Sequence, residues 1–262
     1  MPHQSDSKQL GKPFIVLQSV DSTNNYAMAR IHDGVAQHGM TWFANSQTAG
    51  KGQRDKYWNS ENGANIIMSV VISPAPLKPT EIFQLNACIT VAVYRFVKDI
   101  AGIETKIKWP NDIYWRDRKA AGILIENRIR SGNDFHESKS TGIWQWAIAG
   151  IGINVNQTSF PADLPNPVSL RQITGKSYEI VALAKQLCES LDHYFKKLIN
   201  NGFQKILEEY NNSLYHKDEI VLLKKDSRFF KATVKNVTST GQLLVEHGIE
   251  EQFEFGEVQW EI

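Results

Sequence analysis

The chain has 262 residues, of which 42% are hydrophobic and 22% charged. That suits a sizeable core with one large domain, or one domain plus a small module, and excludes a globally disordered protein. A net charge of +1 gives no support to a function dominated by nucleic-acid or polybasic membrane binding.

Met1 to Lys12 is polar, with no apolar leader core, and no run approaches transmembrane length. A cytoplasmic protein without membrane contact is expected. Cys88 and Cys188 lie within apolar helical patterns, away from any Cys-x-x-Cys or histidine cluster. They read as buried free thiols in a reducing compartment.

Phe14 to Val20 reads as a strand. Ser22 or Asp21 is a natural cap for the helix that follows, which ends near Gly34. Thr23 and Asn24 would then stand beside the free N–H groups of its first turn, a place suited to polar ligand atoms. Met40 to Gln47 reads as a strand entering a basic, glycine-containing loop, Gln47 to Trp58, and Asn65 to Ser73 as a strand leaving it. In the loop, Gly50 and Gly52 are expected to take positive φ so that N–H groups converge on an anion, with Lys51, Arg54 and Lys56 above it. On the loop's own sequence, a phosphate-binding loop and a solvated basic hairpin are equally good readings. It is neither a P-loop nor a dinucleotide fingerprint.

Thr80 is expected to cap a long apolar helix running through Ile100 and lying across the sheet. Thr105 to Trp115 begins as a strand and is interrupted at Pro110, so Trp109-Pro110-Asn111 must be an edge, a bulge or a bend. Lys119 to Ile129 and Trp144 to Asn156 complete an antiparallel meander, with Ser131 to Gly142 as a loop. Gly122, inside its strand, marks a close approach by another backbone or a ligand. Ser169 to Gly175 is a short helix, and Tyr178 to Asn200 and Phe203 to Tyr215 are amphipathic helices. From Asp218 onward, short alternating runs form a small all-β module, which places a domain boundary near His216.

Four segments share one chemical style of glycine or cap, cation, and amide or carboxylate. In order they are Ser-Thr-Asn (22–24), Gly-Lys-Gly-Gln-Arg-x-x-x-Trp (50–58), Lys-Trp-Pro-Asn-Asp (108–112), and Lys-x-x-Gly-Ile-Leu-x-Glu (119–126) with Gly-Ile-Gly-Ile-Asn (150–154). With Val-Ser-Leu after them, this order closely resembles biotin protein ligases, also called biotin–[acetyl-CoA-carboxylase] ligases, over nearly the whole chain. The resemblance implies an α+β fold: a mixed, largely antiparallel sheet packed with helices, akin to class II aminoacyl-tRNA synthetases, over residues 1–215. A small SH3-like C-terminal β-barrel would occupy residues 216–262. It also implies a two-step reaction in which biotin and ATP form biotinyl-5′-AMP, and a lysine of a biotin carboxyl carrier protein domain of a biotin-dependent carboxylase then takes the biotinyl group. A lipoate-type ligase of the same superfamily and a non-catalytic biotin or biotinyl-adenylate sensor are the alternatives. Only about a dozen residues precede the first strand, too few for a winged helix-turn-helix, so no operator DNA binding is expected, and the state is a monomer or weak homodimer.

By the same resemblance, Lys119, Lys51 and Arg54 carry the catalysis, with Lys119 holding the carboxylate and α-phosphate oxygens together. Ser22, Thr23, Asn24, Gln47, Gly50, Gly122, Ile123, Leu124, Gly150 and Gly152 form the biotin site. Lys51, Gln53, Arg54, Trp58, Lys108, Asn111 and Asn154 bind ATP, with Trp58 stacked on the adenine, and Asp112 is the Mg²⁺ position. The family's loop usually reads Gly-Arg-Gly-Arg-x-Gly-Arg-x-Trp. Here Lys51, Gln53, Asp55 and Lys56 depart from it. Lysine cannot make a bidentate fork, so a slower adenylation or a more loosely held intermediate is expected, with activity retained.

Overall fold

The structure is a computed structural model that describes residues 9–53, 56–130, 142–162 and 164–261. Seven strands form the main sheet: β1 (Phe14–Val20), β2 (Thr41–Gln47), β3 (Ile66–Ile72), β4 (Thr105–Lys108), β5 (Asp112–Trp115), β6 (Arg118–Arg130) and β7 (Ile143–Ile153). Their order is β1-β2-β3-β7-β6-β5-β4. Only β1 and β2 run parallel, because helix α1 (Thr23–His32) carries the chain back between them; the other pairs are antiparallel. The sheet is therefore mixed and largely antiparallel, as the sequence implied.

Alternation along the strands sorts the two faces. Met68, Val70 and Ile72 of β3, Ala147, Ala149, Ile151 and Ile153 of β7, and Ala121 and Ile123 of β6 enter the main core. That core includes the helices α2 (Ile82–Ala101), α4 (Ile180–Lys197) and α5 (Phe203–Asn212). Each fully buried Leu or Ile there contributes about 1.5–3 kcal/mol. On the opposite face, α1 covers Val71 and Ile148 through Ala27 and Ile31. Because α1 is only 10 residues long, much of that face stays open to build a site.

Two local expectations change. Thr80 does not cap α2: a 3₁₀ turn over Pro79–Glu81 precedes it, and the Glu81 carboxylate accepts from the Lys78 N–H at 2.8 Å. Pro79 has no N–H and a preset φ, which suits the first position of such a turn. The Thr105 to Trp115 run is two strands, β4 and β5, paired antiparallel about a turn at Trp109-Pro110-Asn111. The expected loop over 131–142 lies outside the described residues except for Gly142.

Helix α3 (Leu170–Thr174) starts at Ser169, whose side chain accepts from the Gln172 N–H. The C-terminal module is a five-stranded antiparallel sheet of β8 (Ile220–Lys225), β9 (Arg228–Val237), β10 (Leu243–Glu246), β11 (Glu250–Phe253) and β12 (Gln259–Glu261), in the order β11-β10-β9-β8-β12. It docks against the β4–β5 turn, where the Trp109 indole N–H donates to the Gly241 carbonyl at 2.9 Å. The Asn211 side chain donates to the Val237 carbonyl and accepts from its N–H. Cys88 and Cys188 are free and buried; burial pushes the Cys188 thiol up to about 12, so neither is a reactive thiolate at neutral pH. Among the described residues, no helix is long and apolar enough to cross a membrane.

Candidate functional site

Strand register builds the site. Ile67, Gly152, Gly122, Asp112 and Lys108 are aligned in one row across β3, β7, β6, β5 and β4. A second row, two residues along, aligns Trp42, Ser69, Gly150 and Leu124. Both rows lie on the face opposite the main core, since their neighbours Met68, Ile151 and Ile123 point into it. The result is a glycine floor with Lys108, Asp112 and Lys119 toward one end.

A side chain on Gly152 or Gly150 would collide with what covers it, and one on Gly122 would press on its cover. A β-carbon on Gly152 would stand 2.4 Å from Trp58 Cε2, and one on Gly150 2.3 Å from Asn24 Oδ1. One on Gly122 would meet Trp58 Cζ3 at 3.1 Å and Lys119 Nζ at 3.2 Å. The Lys119 ammonium sits 5.9 Å from the Trp58 ring centroid and pairs with Asp112 Oδ1 at 2.7 Å. Its backbone is fixed by the segment after β7: Lys119 N–H donates to Asn166 O, Val168 N–H donates to Lys119 O, and the Asn154 amide reaches Lys119 O and Val168 O.

A polar chain runs beside the floor. Gln47 Oε1 accepts from the Thr23 N–H at 2.7 Å and its hydroxyl at 3.1 Å. Ser69 Oγ lies 2.7 Å from Thr23 Oγ1 and 2.6 Å from Asn24 Oδ1. Asn24 Nδ2 donates to Glu126 Oε2 at 2.7 Å, and the other Glu126 oxygen pairs with Lys51 Nζ at 3.4 Å. Ser22, the residue before α1, is buried but makes no side-chain cap bond.

The loop lies over this floor as a small hairpin. Trp58 N–H donates to Gly50 O and Gly52 N–H to Lys56 O, with a bridge between Lys51 and Tyr57. Neither Gly50 nor Gly52 has positive φ. They are required for another reason: a β-carbon on Gly50 would sit 2.4 Å from Trp58 O, and one on Gly52 2.9 Å from Lys56 O. Gln53 donates to the Ile123 carbonyl at 3.5 Å. Arg54 and Asp55 lie outside the described residues.

Asn111 also donates to the Ile123 carbonyl, at 2.8 Å, leaving its Oδ1 buried without a partner among the described residues. Ile123 is the first β6 residue beyond the β5 ladder, so it offers this carbonyl while its side chain faces the main core. The Trp58 indole N–H is likewise buried without a partner among the described residues. Lys108 lies 4.8 Å from the Tyr114 ring and 5.8 Å from that of Trp260. Burial pulls its ammonium down to about 8, Asp112 opposes this, and Lys119 and Lys56 add to it.

Apart from Ser22, buried at the start of α1, Asn154, whose amide holds the Lys119 backbone, and the Ile123 side chain, which faces the core, the described residues that the sequence singled out meet on one face. Ser69 and Glu126 were not singled out as site residues. Ser69 had a signal, a lone hydroxyl inside the apolar run Ile66 to Ile72. Among the described residues no cluster of three or more His, Cys, Asp or Glu could hold a metal. Asp112 and the Asn111 oxygen are the available hard donors.

A profile of the Biotin/lipoate A/B protein ligase family matches residues 16–142. The chain is 32% identical over 201 residues to the bifunctional ligase/repressor BirA of Bacillus spizizenii, covering 73% of this chain and 57% of that one. It is 28% identical over 180 residues to the biotin–[acetyl-CoA-carboxylase] ligase of Mycobacterium tuberculosis, covering 68% and 62%. The chain therefore spans less than two thirds of these curated relatives. Its fold matches that of the Aquifex aeolicus biotin protein ligase in complex with biotin and ATP, with a TM-score of 0.77, 24% identity, and 95% and 99% of the two chains covered. The matched profile and these relatives make this chain similar to the biotin/lipoate A/B protein ligase family, and the solved structure shows the shared fold.

Proposed function

We propose that the chain is an ATP-dependent ligase that activates biotin and transfers it to a lysine of a biotin carboxyl carrier protein domain of a biotin-dependent carboxylase. The observation that carries this reading is the cross-strand row, which sets Lys108 and the Asp112–Lys119 pair at the end of a flat floor made by Gly122 and Gly152. Once the Trp58 ring that overlies Gly122 and Gly152 moves aside, a fused-ring acid can lie on that floor with its carboxylate toward the cations. In the first step a biotin carboxylate oxygen attacks the α-phosphorus of ATP, and the bond to the β-phosphate breaks, releasing pyrophosphate. In the second, the acceptor amine attacks the acyl carbon, the acyl–oxygen bond breaks, and AMP leaves.

Lys119 neutralises the two anions as they approach, which is worth most in a site where water is excluded. Thr23, Gln47, Ser69 and Asn24 offer donors and acceptors to the ureido ring. Trp58 gives the adenine a stacking surface, and Lys51 and Gln53 close the loop over the phosphates. Asp112 and the unpartnered Asn111 oxygen suit a Mg²⁺ ion, which takes one or two protein oxygens alongside phosphate oxygens. Bound there, the ion would withdraw charge from the phosphates. We place the catalytic unit at 1–215 and the C-terminal module at 216–262.

The test is incubation with ATP, Mg²⁺, labelled biotin or lipoate, and a biotin carrier domain. Transfer of biotin is expected. Transfer of lipoate alone would replace the reading with a lipoate ligase, and binding without transfer with a sensor.

A further inference from the structure

We propose that Glu126 is a positioning residue: one carboxylate pins Lys51, and with it the loop, over the site face and sets the orientation of the Asn24 amide behind the ligand. The kinetic part rests on the ligase reading; the structural part does not.

Glu126 stands on the site face of β6, two residues past Leu124, where alternation returns the side chain to the floor. Its two oxygens serve two different elements, Asn24 of α1 at 2.7 Å and Lys51 of the loop at 3.4 Å. Asn24 is buried and pressed onto Gly150, so it has no room to move aside. A carboxylate only accepts hydrogen bonds, so Glu126 requires the Asn24 NH₂ to face it and the Asn24 oxygen to face Ser69.

Lys51 needs such a partner. Its ammonium is a point charge on a flexible four-carbon stem, without the fork that lets arginine orient itself on a carboxylate or phosphate. Its backbone is held by the bridge to Tyr57, but the side chain is 43% exposed and its tip would otherwise sample solvent. Asp21 also feels the Lys51 charge, yet its carboxylate is engaged chiefly by the Asn25 side chain at 2.6 Å. Among the described residues, Glu126 is the carboxylate that fixes where the Lys51 charge sits.

Glu126→Gln separates the two duties. The amide oxygen still accepts from Asn24, while the charge facing Lys51 is gone. Biotin-dependent ATP–pyrophosphate exchange is measured for Glu126→Gln in wild-type and Lys51→Met backgrounds. In wild type, kcat should fall on the order of tenfold with biotin KM nearly unchanged, the signature of misplacement rather than lost binding. In Lys51→Met, Glu126→Gln should add no further loss. In the ligand-free protein, the Gly52 and Trp58 amides should exchange hydrogen several-fold faster in both single variants, while β3 and β7 amides stay protected.

An equal kcat loss in both backgrounds, or a change in KM alone, overturns the proposal. So does loop exchange identical to wild type. If the wild-type protein supports exchange with neither biotin nor lipoate, the ligase reading falls instead, and the hydrogen-exchange comparison alone decides whether Glu126 anchors Lys51.

Discussion

The indole of Trp58 rests on Gly152, with three ring atoms within 2.9 Å of where a β-carbon on that glycine would stand. The floor of the site and its cover are therefore in contact. Gly152→Ala leaves no room for the ring and should lift Trp58 from the sheet, an overpacking cost of about 1–3 kcal/mol. The Trp58 indole resonance should shift in the ligand-free protein, and KM for ATP should rise about tenfold or more as the stacking surface is lost. An unmoved indole resonance would show that the ring does not depend on Gly152.

Lys119 pairs with Asp112 at 2.7 Å and overhangs Gly122. Lys119→Met should slow adenylate formation by about 10²–10³, the usual cost of removing one donor aimed at developing charge. Biotin binding in the absence of ATP should survive. Rapid-quench measurement of labelled adenylate, beside equilibrium biotin binding, checks both. A parallel loss of the two would assign Lys119 to binding instead.

By the loop pattern that the sequence resemblance implies, Lys51 stands at an arginine position. Lys51→Arg should speed adenylate formation or lengthen retention of the intermediate by several-fold, because a planar fork can make two bonds at once. Pre-steady-state formation and release of the adenylate provide the comparison. Equal rates and equal retention in the two proteins would mean that the single charge suffices.

The strands and helices were legible because their signals are local: β-branched runs bounded by turn residues, and apolar faces at helical spacing. The site was legible through its motifs and only partly through physics. Gly50 and Gly52 are the clearest example. Their presence was informative, but sequence does not distinguish a glycine needed for positive φ from one needed because another backbone passes within contact distance, and here the second cause holds. Glu126 was legible only as the end of the Lys-x-x-Gly-Ile-Leu-x-Glu motif, and neither it nor Ser69 carried a readable role, because each acts through a long-range partner, Asn24, that only the sheet register brings alongside. Ile123 looked like a wall of the pocket; strand parity turns its side chain to the core and leaves only its carbonyl.

Burial, the largest cause, lowers Lys108 to about 8 from an ordinary 10.5. Between those values the unfolded chain holds the proton and the folded chain does not, so this residue makes stability rise with pH across that window. Nucleotide binding should go the other way. As pH rises through about 8 the ammonium loses its charge, so KM for ATP should increase above that pH in wild type and stay flat in Lys108→Met. Parallel profiles for the two proteins would assign the titration to another group.

Tyr210 is fully buried, and its hydroxyl donates to the Pro110 carbonyl at 2.7 Å. Tyr210→Phe removes that donor and leaves the carbonyl unsatisfied, a cost of about 1–3 kcal/mol. Denaturant unfolding should show a lower midpoint at an unchanged slope. Because the same turn leads into Asn111 and Asp112, KM for ATP should rise with it. A stability loss with unaltered kinetics would show the turn to be held by Trp109 alone.

The two cross-strand rows make the chemistry hostage to a frame. Gly122, Leu124 and Glu126 face the site only because β6 is paired with β7 at one particular offset. Sliding β6 by a single residue would carry those three into the helix-packed interior and present Ala121, Ile123 and Ile125 to the ligand. The strand would still read as a good strand, with much the same apolar content. A one-residue deletion inside β6 is therefore a change whose damage propensity scales would miss: the ladder could re-form while the glycine floor and the Glu126 carboxylate vanished from the site together.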